Sequence, residues 1–334
     1  MDRLDRLWQR HGRLFWILHS IWALTAGGVV LWLSHDQYGF LPWVVGCLML
    51  TWVSTLFFSR PSTAKTDDRW FARFGRSLAS YLTRVIYQQT LFFLLPFYAY
   101  SVAWRSWNVV FLIVMALLAV LACLDLVFDR WIRESPVFGL VFFASVAFGA
   151  LNLLLPVVLA IRPDVATPIS AVIALSTAAP LAVRGRVQGP GPWLRLIGAA
   201  AALLVVAVGC PWLVPPVPLR LEAVTFAKGL DRSTLEPSDV IAGEAESESL
   251  RGELTVVATV FAPSNVLARV ALDWYRDRTL VRRSREVDIV AHLGGFRFWD
   301  ALRPAAGTLP PGAYRVVVRT ADNRVLGTAS VRIR

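Results

Sequence analysis

The stretch Pro211-Trp212-Leu213-Val214-Pro215-Pro216-Val217-Pro218 divides the chain into two parts of different composition. Residues 1–219 carry 17 Lys and Arg against 9 Asp and Glu, and long apolar runs separate these charges. Residues 220–334 carry 17 against 14 in about half the length, a charge density typical of a water-soluble domain. The sequence therefore predicts two domains of different class, joined at residues 211–218 by an extended, semi-rigid proline-rich stalk.

The composition of the whole chain favours a membrane protein. Of 334 residues, 56% are hydrophobic and only 17% are charged, where soluble proteins carry about 25%. The 14 tryptophans and 19 phenylalanines fit the aromatic belts found at bilayer surfaces. This composition excludes a disordered chain and argues against an ordinary cytosolic enzyme.

Seven apolar stretches approach or exceed the roughly 20 residues that a helix needs to cross a bilayer. They are Leu14–Leu33, Tyr38–Phe58, Val85–Trp104, Trp107–Phe128, Pro136–Ile161, Val165–Val183 and Trp193–Val214. The sequence therefore predicts an α-helical membrane bundle of about seven spans over residues 14–214. Whether Val165–Val183 crosses fully is open, because it is short and contains Pro168 and Pro180.

The Lys and Arg residues between these stretches predict the orientation. Alternate connections hold 15 on one side and 2 on the other, so residues 1–13 are expected to be a basic cytoplasmic N-terminus. The C-terminal domain is then expected on the far side. Because Arg greatly outnumbers Lys, the composition looks bacterial, which would make the location the inner membrane and the far side the periplasm. Leu14–Leu33 is too long for a cleavable signal and is interpreted as an uncleaved span.

One cytoplasmic segment, near residues 67–82, is amphipathic. Asp67 and Asp68 can cap a helix with an aromatic face opposite Arg69 and Arg73. Such a helix is expected to lie in the membrane interface with its arginines near anionic headgroups. Docking of a cytoplasmic partner is the alternative.

Two polar residues stand out inside the predicted spans. Asp125 lies about one turn from the cytoplasmic end of its span, and Asn152 lies four residues before Pro156. A helix-end ion pair and a hydrogen bond between helices are their structural interpretations. The functional alternative is that Asp125 and Asn152 are the polar sites of a small-solute or ion transporter.

Residues 219–334 alternate apolar and polar side chains in about seven short runs separated by turn residues. Val270, Leu272 and Trp274, for example, alternate with Arg269, Ala271 and Asp273. The segment Pro310-Pro311-Gly312-Ala313-Tyr314 places an extended turn before another such run. This pattern predicts an antiparallel, immunoglobulin-like β-sandwich.

Three segments of this domain resemble a known β module. They are Trp274-Tyr275-Arg276-Asp277, Gly295-Phe296-Arg297-Phe298-Trp299, and Gly312-Ala313-Tyr314-Arg315-Val316 through Leu326-Gly327. The module, of unknown function, occurs at the C-terminus of bacterial membrane proteins, and the resemblance covers roughly residues 270–334. The apolar half is similar to an uncharacterised multi-helix family found with it. The resemblance implies architecture and location, and no catalytic residues.

No catalytic or cofactor-binding motif is recognisable. His292 has Asp288 nearby but no second His and no Cys, so we expect no metal site. Cys47, Cys123 and Cys210 have no metal or redox spacing. Nucleic acid is disfavoured, because the excess positive charge lies mostly at the cytoplasmic face of the predicted bundle.

The best candidate surface is the segment Gly294–Trp299, in which Arg297 and Trp299 combine a guanidinium with an aromatic ring. The alternative is that Phe296 and Trp299 fill the sandwich core. The sequence therefore predicts an inner-membrane protein that lies in the lipid bilayer and binds an envelope protein or polymer, without enzymatic activity and without cofactors. A small-solute or ion transporter is the alternative.

Overall fold

The computed structural model describes residues 21–22, 25–29, 32, 70–183, 190–250, 253–263, 266–290, 295–303 and 308–334. Within these ranges the side chains of residues 70–84, 125–127, 129, 133, 181–183, 248 and 249 are not described. Residues 21–22, 25–29 and 32, in the first predicted span, are helical. The basic N-terminus 1–13, the second predicted span and His292 lie outside the described residues.

The helical part beyond residue 69 contains long helices joined by short connections. They are α1 (Trp70–Ser101), α2 (Val109–Cys123), α3 (Asp125–Glu134), α4 (Pro136–Leu159), α5 (Pro163–Val183) and α6 (Pro190–Gly209). A 3₁₀ turn, Pro211–Leu213, follows α6. The amphipathic segment near 67–82 and the predicted span Val85–Trp104 thus share the single continuous helix α1 from Trp70 onward.

The prediction of a seven-span bundle is wrong. Among the described residues, only α4 and α6 are long and apolar enough to cross a membrane. The stretch Trp107–Phe128 is interrupted at Leu124, which leaves α2 with 15 residues, or about 22 Å. Polar side chains interrupt the other two stretches, as Gln88 and Gln89 do in α1. Run length alone therefore overstates the number of spans, because polar residues and helix breaks shorten the apolar part of each run.

Local sequence explains where α4 begins. Ser135 lies before the first turn, and its hydroxyl accepts a hydrogen bond from the Phe138 amide at 3.1 Å. Pro136 occupies the first helical position, where a missing amide hydrogen costs nothing. Pro163 and Pro190 begin α5 and α6 in the same way.

One compact unit contains most of the helical residues. Within it, the Tyr87 ring of α1 meets Phe143 of α4 edge to face, with centroids 5.0 Å apart. Gly149 lets α4 approach α2 closely, because a Cβ there would lie 2.8 Å from the Met115 Cε. The Gln88 amide donates to the Cys123 sulfur at 3.2 Å. Small and polar residues therefore fix the packing of this apolar unit.

The C-terminal β-rich region is confirmed, and we call residues 220–334 the β domain. Its strands are β1 (Arg220–Asp231), β2 (Glu236–Ile241), β3 (Glu244–Ala245), β4 (Leu254–Phe261), β5 (Arg269–Arg276), β6 (Thr279–Arg283), β7 (Val287–Asp288), β8 (Phe296–Leu302), β9 (Gly312–Thr320) and β10 (Val325–Ile333). One sheet has the order β2-β1-β4-β8, and the other has β3-β10-β9-β5-β6, with β7 paired to β5. Neighbouring strands are antiparallel except β10 and β3.

The two sheets share one apolar core. Alternate residues of β5 and β9 point into it, and fully buried Trp274 of β5 meets Phe226 of β1 across it, with ring centroids 6.2 Å apart. Gly327 of β10 is needed for close approach of the sheets, because a Cβ there would lie 2.3 Å from the Leu221 Cδ2. The Tyr314 hydroxyl donates to the Pro310 carbonyl at 2.9 Å and fixes the turn before β9.

The β domain forms a compact unit with two connections between helices, residues 98–112 and 155–167. Buried Asn108 donates to the Val325 carbonyl of β10 at 3.0 Å. The Arg220 guanidinium lies 5.3 Å from the Tyr100 ring centroid, and Val157 packs against the β core. Residues 214–219 are buried as well, so the proline-rich stretch is packed over most of its length.

Candidate functional site

The predicted surface residues Arg297 and Trp299 share one face of an edge strand. Both lie on β8, the last strand of the four-stranded sheet, opposite Thr259 and Val257 of β4. Phe298 between them points into the core. Trp299 is 36% exposed, so the alternative that it fills the core is wrong, whereas partly buried Phe296 does pack against the core.

The tip of the β1–β2 hairpin lies over this face. The Arg232 guanidinium is 5.9 Å from the Trp299 ring centroid, and the Glu236 Oε1 is 3.6 Å from the Arg297 Nη1. The hairpin therefore places a cation against the ring and an anion beside Arg297. The resulting surface combines one exposed aromatic ring with charges of both signs. We call these four residues the Trp299 surface.

Hydrogen bonds stiffen the hairpin tip. The backbone amide and the hydroxyl of Ser233 both donate to the Asp231 Oδ1, at 2.8 and 2.6 Å. These bonds, that of the hydroxyl first, hold the pKa of the Asp231 carboxyl below its ordinary value. Leu235 in the same turn has φ +56°, the left-handed conformation that tight turns require. The tip is therefore a defined turn, and Arg232 is held within it.

The strand that carries Trp299 is fixed to the other sheet. Asp300 accepts the Trp274 indole N–H at 2.9 Å and pairs with the Arg282 Nη2 at 3.0 Å. The same guanidinium donates to the Ala301 carbonyl at 2.8 Å. Because Arg282 belongs to β6, it joins the β6 and β8 edges of the two sheets. These bonds therefore hold the backbone of β8, and with it Trp299, in a fixed position.

A second charged cluster, on the outer face of the six-stranded sheet, has a structural explanation. Asp273 is fully buried, and its Oδ1 lies 3.1 Å from the Arg283 Nε. Arg319 contacts the other carboxylate oxygen. Burial lowers the pKa of the Arg319 guanidinium. Since both oxygens of Asp273 face guanidinium groups, the carboxylate is held as an ion-pair partner and is not presented to a substrate.

The two polar residues predicted inside the spans lie on different helices. Asp125 is the first residue of α3, directly after the break at Leu124, and its side chain is not described. Asn152 is buried in the middle part of α4, at 1% exposure. The described residues contain no group of three or more His, Cys, Asp or Glu that could hold a metal ion.

Sequence reasoning missed the partners of the predicted residues. Arg232 and Glu236 belong to the β1–β2 hairpin, and the alternation of apolar residues does not reveal how far β1 extends, to Asp231. The bond from Asn108 to Val325 joins residues 217 positions apart. No local pattern reveals a contact at that separation.

Comparison with profiles of protein families gives a match over most of the chain. A family profile described as a family of unknown function (DUF5924) matches residues 1–253. The match covers the helical part and β1 to β3, whereas the resemblance noted at residues 270–334 lies outside it. The expectation of an uncharacterised family is confirmed. No curated protein matches the chain.

Proposed function

We propose that this chain, which belongs to the family of unknown function DUF5924, is a membrane-anchored binding protein without enzymatic activity. In this proposal the β domain is displayed on the extracytoplasmic side of a bacterial inner membrane and binds an envelope protein or polymer. The observation that carries the proposal is the Trp299 surface: an exposed aromatic ring on a rigid edge strand, with charges of both signs beside it. Aromatic rings and arginines are the residue types that dominate binding energy at interfaces.

Two apolar helices support the membrane anchor. The 20 residues of α6 span about 30 Å, the thickness of the hydrocarbon core. Only 6% of the residues in the most apolar stretch of α6 are buried, against 78% in α4, so α6 offers an apolar surface that lipid can cover. Trp104 and Trp107 are 73% and 69% exposed in the connection between α1 and α2, a position that suits an interfacial belt.

The distribution of arginines supports the proposed side. The connections 102–108 and 160–162, which belong to the unit of the β domain, contain only Arg105 and Arg162. The two helices that could cross, α4 and α6, begin near more arginines: Arg130 and Arg133 lie in α3 before α4, Arg184 and Arg186 precede α6, and Arg195 lies in the second turn of α6. Because basic connections stay in the cytoplasm, the β domain is expected outside it, and the N-terminus inside.

Site-specific photo-crosslinking tests the binding function. A photoreactive residue in place of Arg297, in the full chain in cells, should yield an adduct that disappears when Trp299→Ala is added. The same probe in place of Val290, which is 66% exposed in the β domain, is the control and should not yield that adduct. An adduct from position 297 that persists in the Trp299→Ala background would refute the role of the Trp299 surface.

Reporter fusions test the side independently of binding. Alkaline phosphatase, which folds only outside the cytoplasm, should be active when fused after Arg334 and inactive when fused after Arg186. The opposite result at Arg334 would place the β domain in the cytoplasm and end the localisation proposal.

A further inference from the structure

The β domain has two opposite lateral edges of opposite charge. In the six-stranded sheet, β6 and β3 are the terminal strands. In the four-stranded sheet, β2 is a terminal strand, and only Ala242 and Gly243 separate it from β3, so β2 and β3 form one edge. We call residues 276–285 the basic edge and residues 236–248 the acidic edge.

The charges on the two edges are nearly complete opposites. The basic edge carries five arginines and one acid, Asp277; the arginines are Arg276, Arg278, Arg282, Arg283 and Arg285. The acidic edge carries five acids and no Lys or Arg; they are Glu236, Asp239, Glu244, Glu246 and Glu248. Such a separation of charge favours contact between the edges of different molecules.

Each edge also exposes apolar side chains among its charges. All five residues of β6 are exposed, including Leu280 at 46% and Val281 at 49%. On the acidic edge, Val240 is 59% exposed. Apolar side chains ringed by charge are the usual arrangement of a protein interface, and exposed edge strands are open to association.

Some of these charged side chains have ion-pair partners within the chain, and others do not. Arg282 and Arg283 pair with Asp300 and Asp273. Arg278 and Arg285, in contrast, are exposed, and no acidic partner for either occurs among the described residues. On the acidic edge, Glu236 and Glu244 pair with Arg297 and Arg334, whereas Asp239 is exposed. The outer arginines of the basic edge are therefore available to a second molecule, and Asp239 is an exposed acid on the opposite edge.

We infer that the basic edge of one chain binds the acidic edge of a second copy of this chain. Leu280 and Val281 then lie near Val240 of the partner copy, with Arg278 and Arg285 near its carboxylates. Because the two surfaces differ, the contact is head-to-tail and builds rings or open chains rather than a closed dimer. The two edges share only Glu236 with the Trp299 surface, so the inference does not depend on the proposed binding of an envelope partner.

Charge reversal in the full chain, purified in detergent, tests the inference. The wild-type chain should self-associate at low salt and dissociate as salt rises, as measured by sedimentation. Arg278→Glu with Arg285→Glu should weaken association about tenfold or more, since attraction becomes repulsion at two positions. Asp239→Arg with Glu244→Arg should do the same. Lys228→Glu with Arg315→Glu changes the charge equally on the central strands β1 and β9 and should leave association unchanged.

Mixing the two edge variants provides the decisive measurement. Each reversal removes all or most of the charge excess of the altered edge and leaves the other edge of that variant intact. Each variant alone should therefore be monomeric, and the mixture should form 1:1 complexes through the intact acidic edge of one variant and the intact basic edge of the other. In a separate experiment, Leu280→Cys chains are mixed with Val240→Cys chains. The mixture should form disulfides between Cys at position 280 and Cys at position 240, and neither variant alone should form a disulfide at its new cysteine. A wild-type chain that stays monomeric would overturn the inference. A chain that stays monomeric and binds added polyglutamate through its arginines would overturn it too. Edge variants that associate like the wild type, or that fail to associate on mixing, would overturn it as well.

Discussion

Replacing Asn108 with Ala should loosen the attachment between a helix connection and the β domain. The Asn108 side chain is fully buried. Its Nδ2 donates to the Val325 carbonyl at 3.0 Å, and its Oδ1 accepts from the Ala103 amide at 3.2 Å. One side chain thus joins the connection 102–108 to the start of β10.

The magnitude follows from what the substitution leaves behind. Alanine removes both hydrogen bonds, and the Ala103 amide and the Val325 carbonyl each lose this partner. A buried polar group without its partner costs about 1–3 kcal/mol, so the expected loss is about 2–4 kcal/mol. At roughly 1.4 kcal/mol per factor of ten, opening of this contact becomes roughly 30- to 700-fold more frequent.

Hydrogen exchange of the full chain in detergent, read by mass spectrometry, measures this directly. Exchange should accelerate by that factor in peptides that cover residues 102–109 and 320–327 and should stay unchanged within β4. Asn108→Asp keeps the acceptor for Ala103 but loses the donor to Val325, so it should accelerate both peptides too. Ser176→Ala removes a hydroxyl bonded only within α5 and is the control.

A specific result would refute the reasoning. If Asn108→Ala leaves exchange at residues 320–327 unchanged while the chain stays folded, the bond to Val325 does not hold the connection to the β domain. Acceleration everywhere, including β4, would mean that the substitution unfolds the domain as a whole rather than this contact.

Three further predictions concern the β domain. Trp274→Phe removes the indole donor to Asp300 and leaves a cavity, so unfolding of the full chain in detergent should be easier by about 2–3 kcal/mol. Arg282→Ala should cost about 1–2 kcal/mol in the same measurement, and Arg282→Lys should restore only part, since one ammonium replaces a guanidinium that reaches two acceptors. Because folding lowers the pKa of Asp231, the ionised carboxylate stabilises the hairpin at any pH above the ordinary pKa of 3.8. This stabilisation is lost as the pH falls through the lower pKa of the folded state. Acid should therefore lower the protection of the hairpin amides, relative to their intrinsic exchange rate at each pH, in the wild type and not in Asp231→Asn. Identical pH profiles of protection would contradict the role of the bonds between Asp231 and Ser233.

The sequence predicted the β-rich region well because alternation is a local property. Val270, Leu272 and Trp274 alternate in the sequence and enter one core in the structure. Helix positions were also close, as in Pro136–Ile161 against α4. The number of membrane spans was not predictable from run length alone, because one residue out of helical conformation, Leu124, divides an apolar run into two short helices.

The candidate surface was predicted only in part. Arg297 and Trp299 could be chosen because aromatic and arginine residues alternate in one short run. Their neighbours Arg232 and Glu236 lie about 60 residues earlier, and the hairpin that brings them there depends on the register of β1 with β2. Register across strands is set by packing of the whole sheet, which a single sequence does not display.

The unit that contains the β domain is assembled from three separate stretches of chain, residues 98–112, 155–167 and 210–334. Synthesis delivers the two helix connections long before β10, which carries the Val325 carbonyl that Asn108 binds. Until the last residues are made, these connections lack their permanent partners. A premature stop codon near the C-terminus is therefore expected to damage the helical part as well, and the nascent chain has a prolonged interval in which chaperones and proteases can act on it.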